Sequence, residues 1–179
     1  MGFLVRDAPG RVTPAWERLD TQRAARRLER FCCVDGQAGV DRPWERAAQA
    51  ALRRAGTSLR PEQSVLVAVE DCVDVAAALF ELVTHGDQLR MFVFSVAVAS
   101  ERRGRGGIVA DQLMAELRRL ACDEARQRGC RSIVFVGKIH VRNLASERAA
   151  KRTGLEPGTE IVGDYRFWGR RLDVDDVDL

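Results

Sequence analysis

Histidine, lysine and tyrosine are scarce in this sequence of 179 residues, which has two histidines, two lysines and a single tyrosine. Its five cysteines form no Cys-x-x-Cys pair, and with so few histidines we expect no metal site. No segment approaches the roughly 18 consecutive apolar residues of a membrane span. Because the N-terminus also lacks a secretion signal, we expect a cytoplasmic protein with reduced cysteines and no membrane partner.

The shortage of lysine leaves 27 arginines, yet the formal net charge is only +3. Acidic residues are concentrated in the tail, residues 173–179, behind a basic body. The arginine excess is explained as well by the base composition of the coding DNA as by nucleic-acid binding, so nucleic acid is an open but disfavoured partner. The length and a hydrophobic content of 46% indicate one domain with its own core.

Hydrophobic periodicity divides the first half of the chain into helices and strands. Residues 2–8 favour a short strand and residues 21–31 a helix, and a clearer helix is expected from about 42 to 55 with Asp41 as its cap. Three β-rich runs follow, at residues 64–70, 73–83 and 89–99. Their short connections predict an antiparallel meander.

The second half alternates helix and strand. A helix that includes Val109 is expected to end before Gly129. Residues 131–139 are typical of a strand, residues 143–154 of a short helix, and residues 160–172 of two strands joined by a turn. This order of elements predicts a mixed α/β sheet.

The segment SERRGRGGIVADQLM, residues 100–114, joins the third β-rich run to the long helix. A strand that ends in a glycine-rich turn before a helix presents unpaired backbone N–H groups and the positive end of the helix dipole at one place. The arginines of the loop add fixed positive charge suited to phosphate. The segment is neither a P-loop nor a Rossmann glycine motif. We therefore interpret it as a phosphate-binding loop of another kind.

This loop resembles the motif Arg/Gln-x-x-Gly-x-Gly/Ala of the GNAT superfamily of acyl-CoA-dependent N-acetyltransferases. In one register the motif begins at Arg103, and Ile108 stands where its last glycine or alanine is expected. In the other it begins at Arg105 and ends at Ala110, and Ile108 replaces its first glycine. The loop is also compatible with being one or two residues longer than usual.

A second match lies about forty residues downstream. The stretch NLASERAAKRTGL resembles the family segment Asn-x-x-Ala/Ser-(x)7-Gly-Phe/Leu, with Asn143, Ser146, Gly154 and Leu155 in register. The resemblance implies a GNAT-like, mixed and mostly antiparallel central sheet of six to seven strands flanked by about four helices. It covers about residues 64–172.

By this resemblance the chain is a single acyltransferase-like domain, 1–179. Residues 1–63 would form a helical acceptor-side segment, 64–172 the acyl-CoA-binding core and 173–179 the acidic tail. Acetyl-CoA would be the acyl donor, bound where the fourth and fifth strands separate. The residues implied in its binding are Val96, Val98, Arg103, Gly104, Arg105, Gly106, Gly107, Ile108, Asn143 and Ser146.

The expected proton-transfer groups differ from those of many family members. A tyrosine often stands seven residues after the motif asparagine to protonate the leaving thiolate, and here that position is Ala150. An attacking amine must be neutral, so we expect a base near the cleft. Glu81 and His140 are the favoured catalytic candidates and Glu101 is a third. Positioning and oxyanion stabilisation can carry much of the rate without a dedicated acid.

The expected function is transfer of an acetyl group from acetyl-CoA to a primary amine, by direct attack, on a small-molecule or peptide acceptor. A homodimer is compatible with the sequence. Two alternatives stay open. One is a non-catalytic acyl-CoA-binding or scaffold domain, suggested by Ala150 and Ile108. The other is a toxin-like acetyltransferase of aminoacyl-tRNA, suggested by the arginines within residues 21–31.

Overall fold

The computed structural model describes residues 14–34, 42–103 and 107–176. In this part of the chain seven strands and four helices follow one another as β1 (Ala15–Leu19), α1 (Gln22–Ala25), α2 (Pro43–Thr57), β2 (Gln63–Glu70), β3 (Val73–His85), β4 (Gln88–Val98), α3 (Ile108–Gln127), β5 (Ser132–His140), α4 (Leu144–Arg152), β6 (Glu156–Val162) and β7 (Tyr165–Asp173). The strands form one sheet in the order β1-β2-β3-β4-β5-β7-β6. All neighbours are antiparallel except β4 and β5. The predicted mixed, mostly antiparallel α/β fold is therefore confirmed.

The sheet opens between β4 and β5. These strands pair in parallel up to Val93 and Gly137, although β4 continues to Val98 and β5 to His140. Beyond that point β4 stays paired with β3, and β5 stays paired with β7. A register shift against β3 leaves Phe94 as an extra residue of β4, so a β-bulge lies where the two strands separate.

Helices cover both faces of the sheet and create two cores. On one face, Leu117 of α3 lies in a buried cluster with Phe80 of β3. On the other face, Leu52 of α2 lies in a second buried cluster with Val65 of β2. Because side chains alternate along a strand, neighbouring residues of the central strands serve opposite cores.

Local signals in the sequence place several of these elements correctly. The strands β2, β3 and β4 form the predicted antiparallel meander, and the helix expected from about 42 to 55 is α2. Asn143 caps α4 as predicted, since its Oδ1 accepts a hydrogen bond of 3.2 Å from the backbone N–H of Ser146. The expected cap of α2, Asp41, lies outside the described residues.

The N-terminal region differs from the expected pattern. The sequence did not predict β1, whose polar residues Glu17 and Arg18 hide the alternation of an edge strand. The helix expected over 21–31 is divided into the short α1 and a 3₁₀ turn at Arg26–Arg30. The strand expected over 2–8 lies outside the described residues. None of the described helices combines the length and the apolar character that a bilayer span requires.

Replacing Leu117 by Ala tests the core beneath α3. The side chain is fully buried, so we expect the variant to lose about 3 kcal/mol of unfolding free energy, from lost transfer energy and from the cavity left behind. Urea denaturation followed by circular dichroism measures the loss. The control is Leu144→Ala on α4, whose side chain is 56% exposed and whose loss should stay within about 0.5 kcal/mol. Equal effects of the two substitutions would contradict this packing.

Candidate active site

A cavity of about 510 Å³ occupies the gap between β4 and β5. Both strands line it, together with the first turn of α3, one face of α4 and the start of α2. Val96 and Val98, predicted to contact the donor, line it from β4, and Tyr165 and Trp168 line it from β7. The cavity therefore lies where the two halves of the sheet separate, as expected for a donor site there.

The first turn of α3 reaches the cavity, and its N-cap residue provides no side-chain hydrogen bond to the backbone N–H groups. Gly107 precedes the helix with a left-handed φ of 82° and, having no side chain, forms no capping hydrogen bond. Gly107 and Ile108 both line the cavity. Free N–H groups at the positive end of a helix dipole favour an anion. The other predicted loop residues, Gly104, Arg105 and Gly106, lie outside the described residues.

A guanidinium that the sequence motifs did not single out lies beside Gly107. Arg152 of α4 donates two hydrogen bonds, of 3.0 and 2.8 Å, to the carboxylate of Asp111 in α3. A methyl group added to Gly107 would lie 2.5 Å from Nη2 of Arg152. Arg152 also lines the cavity, so its guanidinium group lies beside the N-terminal end of α3. Only the packing of α4 on α3 brings these residues together, since they are 41 positions apart.

Arg103 holds the start of the loop to the protein. It donates hydrogen bonds to the carboxylate of Glu45 at 2.6 Å, to the carbonyl of Val98 at 3.2 Å and to the carbonyl of Cys33. The neighbouring Arg102 pairs with Glu70 at 3.1 Å. Both arginines line the cavity, but their guanidinium groups already have acceptors within the protein. Direct phosphate binding by Arg103 stays a prediction beside this structural role.

His140 is a buried, oriented ring at the end of β5. Its Nδ1 accepts a hydrogen bond of 3.1 Å from the backbone N–H of Arg142. The ring centre lies 4.9 Å from that of Trp44 and 5.2 Å from that of Tyr165. Because Nδ1 is an acceptor, the neutral ring carries its hydrogen on Nε2. His140 also lines the cavity.

The carboxylates proposed as bases are not among the described residues that line the cavity. Glu81, on β3, pairs with Arg60 at 3.5 Å and is not among the described residues that line the cavity. Glu101 is exposed in the 3₁₀ turn after β4. Glu45 of α2, which the sequence did not single out, is the carboxylate found in the described lining. It is 8% exposed and bound by Arg103.

The second sequence motif, which includes α4, lines the cavity. Asn143 and Ser146 line it, and the Nδ2 of Asn143 donates to the Oγ of Ser146 at 2.8 Å. Ala150, at the position where many family members have tyrosine, also lines the cavity and is buried. A small apolar side chain thus occupies the site of the usual acid, and Tyr165 reaches the cavity from a different strand.

Cys33 lines the cavity, and its surroundings favour the thiol over the reactive thiolate. Burial raises the pKa of its thiol to about 11, although the nearby Arg103 acts in the opposite direction. The thiol also donates to the carbonyl of Glu45. Because the thiolate is the reactive form of cysteine, Cys33 is unsuited to carrying an acyl group in an intermediate.

Solved acetyltransferases share this fold. The GNAT domain of S. lividans PAT aligns with a TM-score of 0.56 at 15% identity, over 88% of this chain and 89% of that chain. The PaiA N-acetyltransferase of Thermoplasma acidophilum in complex with coenzyme A gives 0.57 at 10% identity, over 88% and 99%. Arabidopsis thaliana Naa50 in complex with the bisubstrate analogue CoA-Ac-MVNAL gives 0.57 at 14%, over 89% and 99%. At these identities the likeness concerns the fold.

The family is given by the sequence itself. The sequence model of the acetyltransferase (GNAT) family matches residues 22–155. This range includes the meander, both sequence motifs, and the strands β4 and β5 on either side of the gap. It ends before β7. The chain therefore belongs to the GNAT family of acetyltransferases. No curated protein matches the chain in sequence.

Replacing Arg103 by Ala separates its structural role from ligand binding. The change removes the hydrogen bonds to the carbonyls of Val98 and Cys33 and to the carboxylate of Glu45. The negative charge of the buried Glu45 then loses one of its positive partners. We expect a loss of about 2 kcal/mol of unfolding free energy without any ligand, measured by urea denaturation. The control is Arg119→Ala, which removes exposed ion pairs within α3 and should cost less than about 1 kcal/mol. A fully stable Arg103→Ala variant would contradict the structural role.

Proposed function

We propose that this protein is an N-acetyltransferase that uses acetyl-CoA to acetylate a primary amine. The observation that carries the proposal is the cavity between β4 and β5, which ends at the uncapped first turn of α3. One end of this cavity suits a phosphate group, because the first turn of α3 lies there. Membership of the GNAT family supports the reaction class.

The residues present fit coenzyme A at this site. Beyond Val93 the backbone of β4 has no partner strand on the β5 side, so its polar groups are available to the amides of a pantetheine arm. The N–H groups of Ile108 and its neighbours suit the pyrophosphate, with Arg152 beside them. The Thermoplasma acidophilum neighbour contains coenzyme A and the Arabidopsis thaliana neighbour a CoA-linked peptide analogue, which supports acetyl-CoA as the donor.

When bound, acetyl-CoA supplies a thioester whose carbonyl carbon is attacked by the amine nitrogen, with release of the thiol. The chain contributes position and charge to this step. His140 presents its Nε2–H to the cavity and stabilises negative charge on a neighbouring oxygen or sulfur. Glu81 is not among the described lining residues and pairs with Arg60, so of the two candidates we favour His140.

The cavity itself favours the reactive form of the amine. Arginine and lysine side chains outnumber carboxylates among the described lining residues. Positive charge near an ammonium group lowers its pKa, and so increases the fraction of neutral amine. We propose that this field assists deprotonation to water and reduces the need for a dedicated base.

A thermal melt with and without acetyl-CoA tests donor binding. At a hundred times its dissociation constant, acetyl-CoA should add about 2.7 kcal/mol of stability, which raises the melting temperature of a chain of this size by about 5 to 10 °C. Gly107→Glu places a carboxylate at the end of α3 and should abolish the increase. Gly86→Glu is the matched control, because Gly86 also has a left-handed φ, of 59°, and lies in the β3–β4 turn with open space around it.

The outcome separates three interpretations. An increase retained in Gly86→Glu and lost in Gly107→Glu supports the donor site, and thiol release with a panel of amines then supports catalysis. Binding without thiol release from any amine would favour the non-catalytic alternative that Ala150 suggests. No increase in the wild type would refute the proposal.

A further inference from the structure

The charged side chains that line the cavity affect which kinds of amine can bind there. The cationic side chains among the described lining residues are Arg42, Arg102, Arg103, Lys138 and Arg152. The arginines are each paired with a carboxylate of the protein. No carboxylate of the described residues pairs with Lys138. Among the described lining residues, Lys138 is therefore the cation without a carboxylate partner in the protein.

Lys138 lies beside the point where the pairing of β5 with β4 ends. It follows Gly137, the last residue of β5 that pairs with β4. Phe135 belongs to the core beneath α3, so strand alternation directs Lys138 to the opposite face of the sheet. His140, two residues further along, faces that same side, where it contacts Trp44 at the start of α2. With the donor's phosphates at α3, this is the side from which an acceptor reaches the gap.

The surroundings of Lys138 hold its ammonium group in place without neutralising it. Its Nζ lies 4.7 Å from the centre of the Phe167 ring, and Phe167 is its cross-strand neighbour on β7. A cation–π contact uses one side of the ammonium group and leaves N–H donors free on the other. Phe94, which is 40% exposed and lines the cavity from β4, provides an apolar wall for the rest of the ligand.

We propose that Lys138 selects acceptors in which a carboxylate lies close to the primary amine. This chemistry is shared by free amino acids and by peptides with an acidic N-terminal residue, and the inference rests on the proposed function. The carboxylate binds Lys138, and the amine is directed towards the end of the β4–β5 pairing. Polycationic amines lack a matching site, because Glu45, the carboxylate in the described lining, is bound by Arg103 and Arg42.

The test compares matched acceptors by the rate of thiol release from acetyl-CoA. One arm pairs free amino acids with their amides, and another pairs tripeptides that begin with aspartate with tripeptides that begin with asparagine. Spermidine represents the polycations, and all amines are compared at equal free-base concentration. In one of the two arms, we expect kcat/KM for the acceptor with the carboxylate to be at least tenfold higher than for its amide counterpart. The arm that shows the preference identifies the source of the carboxylate.

Substitutions of Lys138 connect the preference to this residue. Lys138→Gln should lower kcat/KM about tenfold for the carboxylate member and leave the rate with its amide partner within twofold. Lys138→Arg should restore most of the preference, and Lys138→Glu should reverse it. Arg90→Gln is the control, because Arg90 is an exposed cation of β4 outside the described lining, and its removal should leave both rates unchanged.

Failure of this inference differs from failure of the proposed function. Thiol release that is equal for acid and amide, fastest with spermidine, or insensitive to Lys138→Gln would overturn the role of Lys138 and leave acetyl transfer intact. Acetyl-CoA binding is measured separately by the thermal melt. Absence of both acetyl-CoA binding and thiol release would overturn the two together.

Discussion

The separation of β4 from β5 is the constraint on which the rest of the site depends. Each strand is held by a different neighbour, β4 by β3 and β5 by β7, so the two halves of the sheet diverge without losing either pairing. Backbone polar groups left unpaired inside a protein must find water or a ligand. Here they face a cavity that also receives the first turn of α3. The same divergence thus creates the space, the hydrogen-bonding edge and the route to an anion site.

Charge then divides the cavity into parts with different tasks. Arg103 and Glu45 join the loop after β4 to α2 and fix the wall of the cavity. Arg152 and the end of α3 suit the anionic donor, while Lys138 lies on the opposite face of the sheet. In the function that we propose, this surplus of positive charge would both attract the donor and favour the neutral amine.

Local patterns were sufficient to predict the meander, α2, α3 and α4, because each depends on periodicity or on a cap and stop residue near in sequence. They failed at β1, an edge strand with polar residues whose identity as a strand depends on pairing with β2. They also could not show that Glu81 is paired with Arg60. The contacts of Arg103, Arg152 and Lys138 join distant segments, and only the folded chain reveals them.

Hydrogen exchange measured with and without coenzyme A tests the central claim most directly. The account predicts slower amide exchange at residues 94–98 of β4 and at residues 107–111 of α3, where the ligand would pair with free backbone groups. Exchange in β1 and β2, which lie two or more strands from the gap, should stay unchanged. Protection that is absent from residues 94–98, or that is confined to another part of the sheet, would contradict a donor site between β4 and β5.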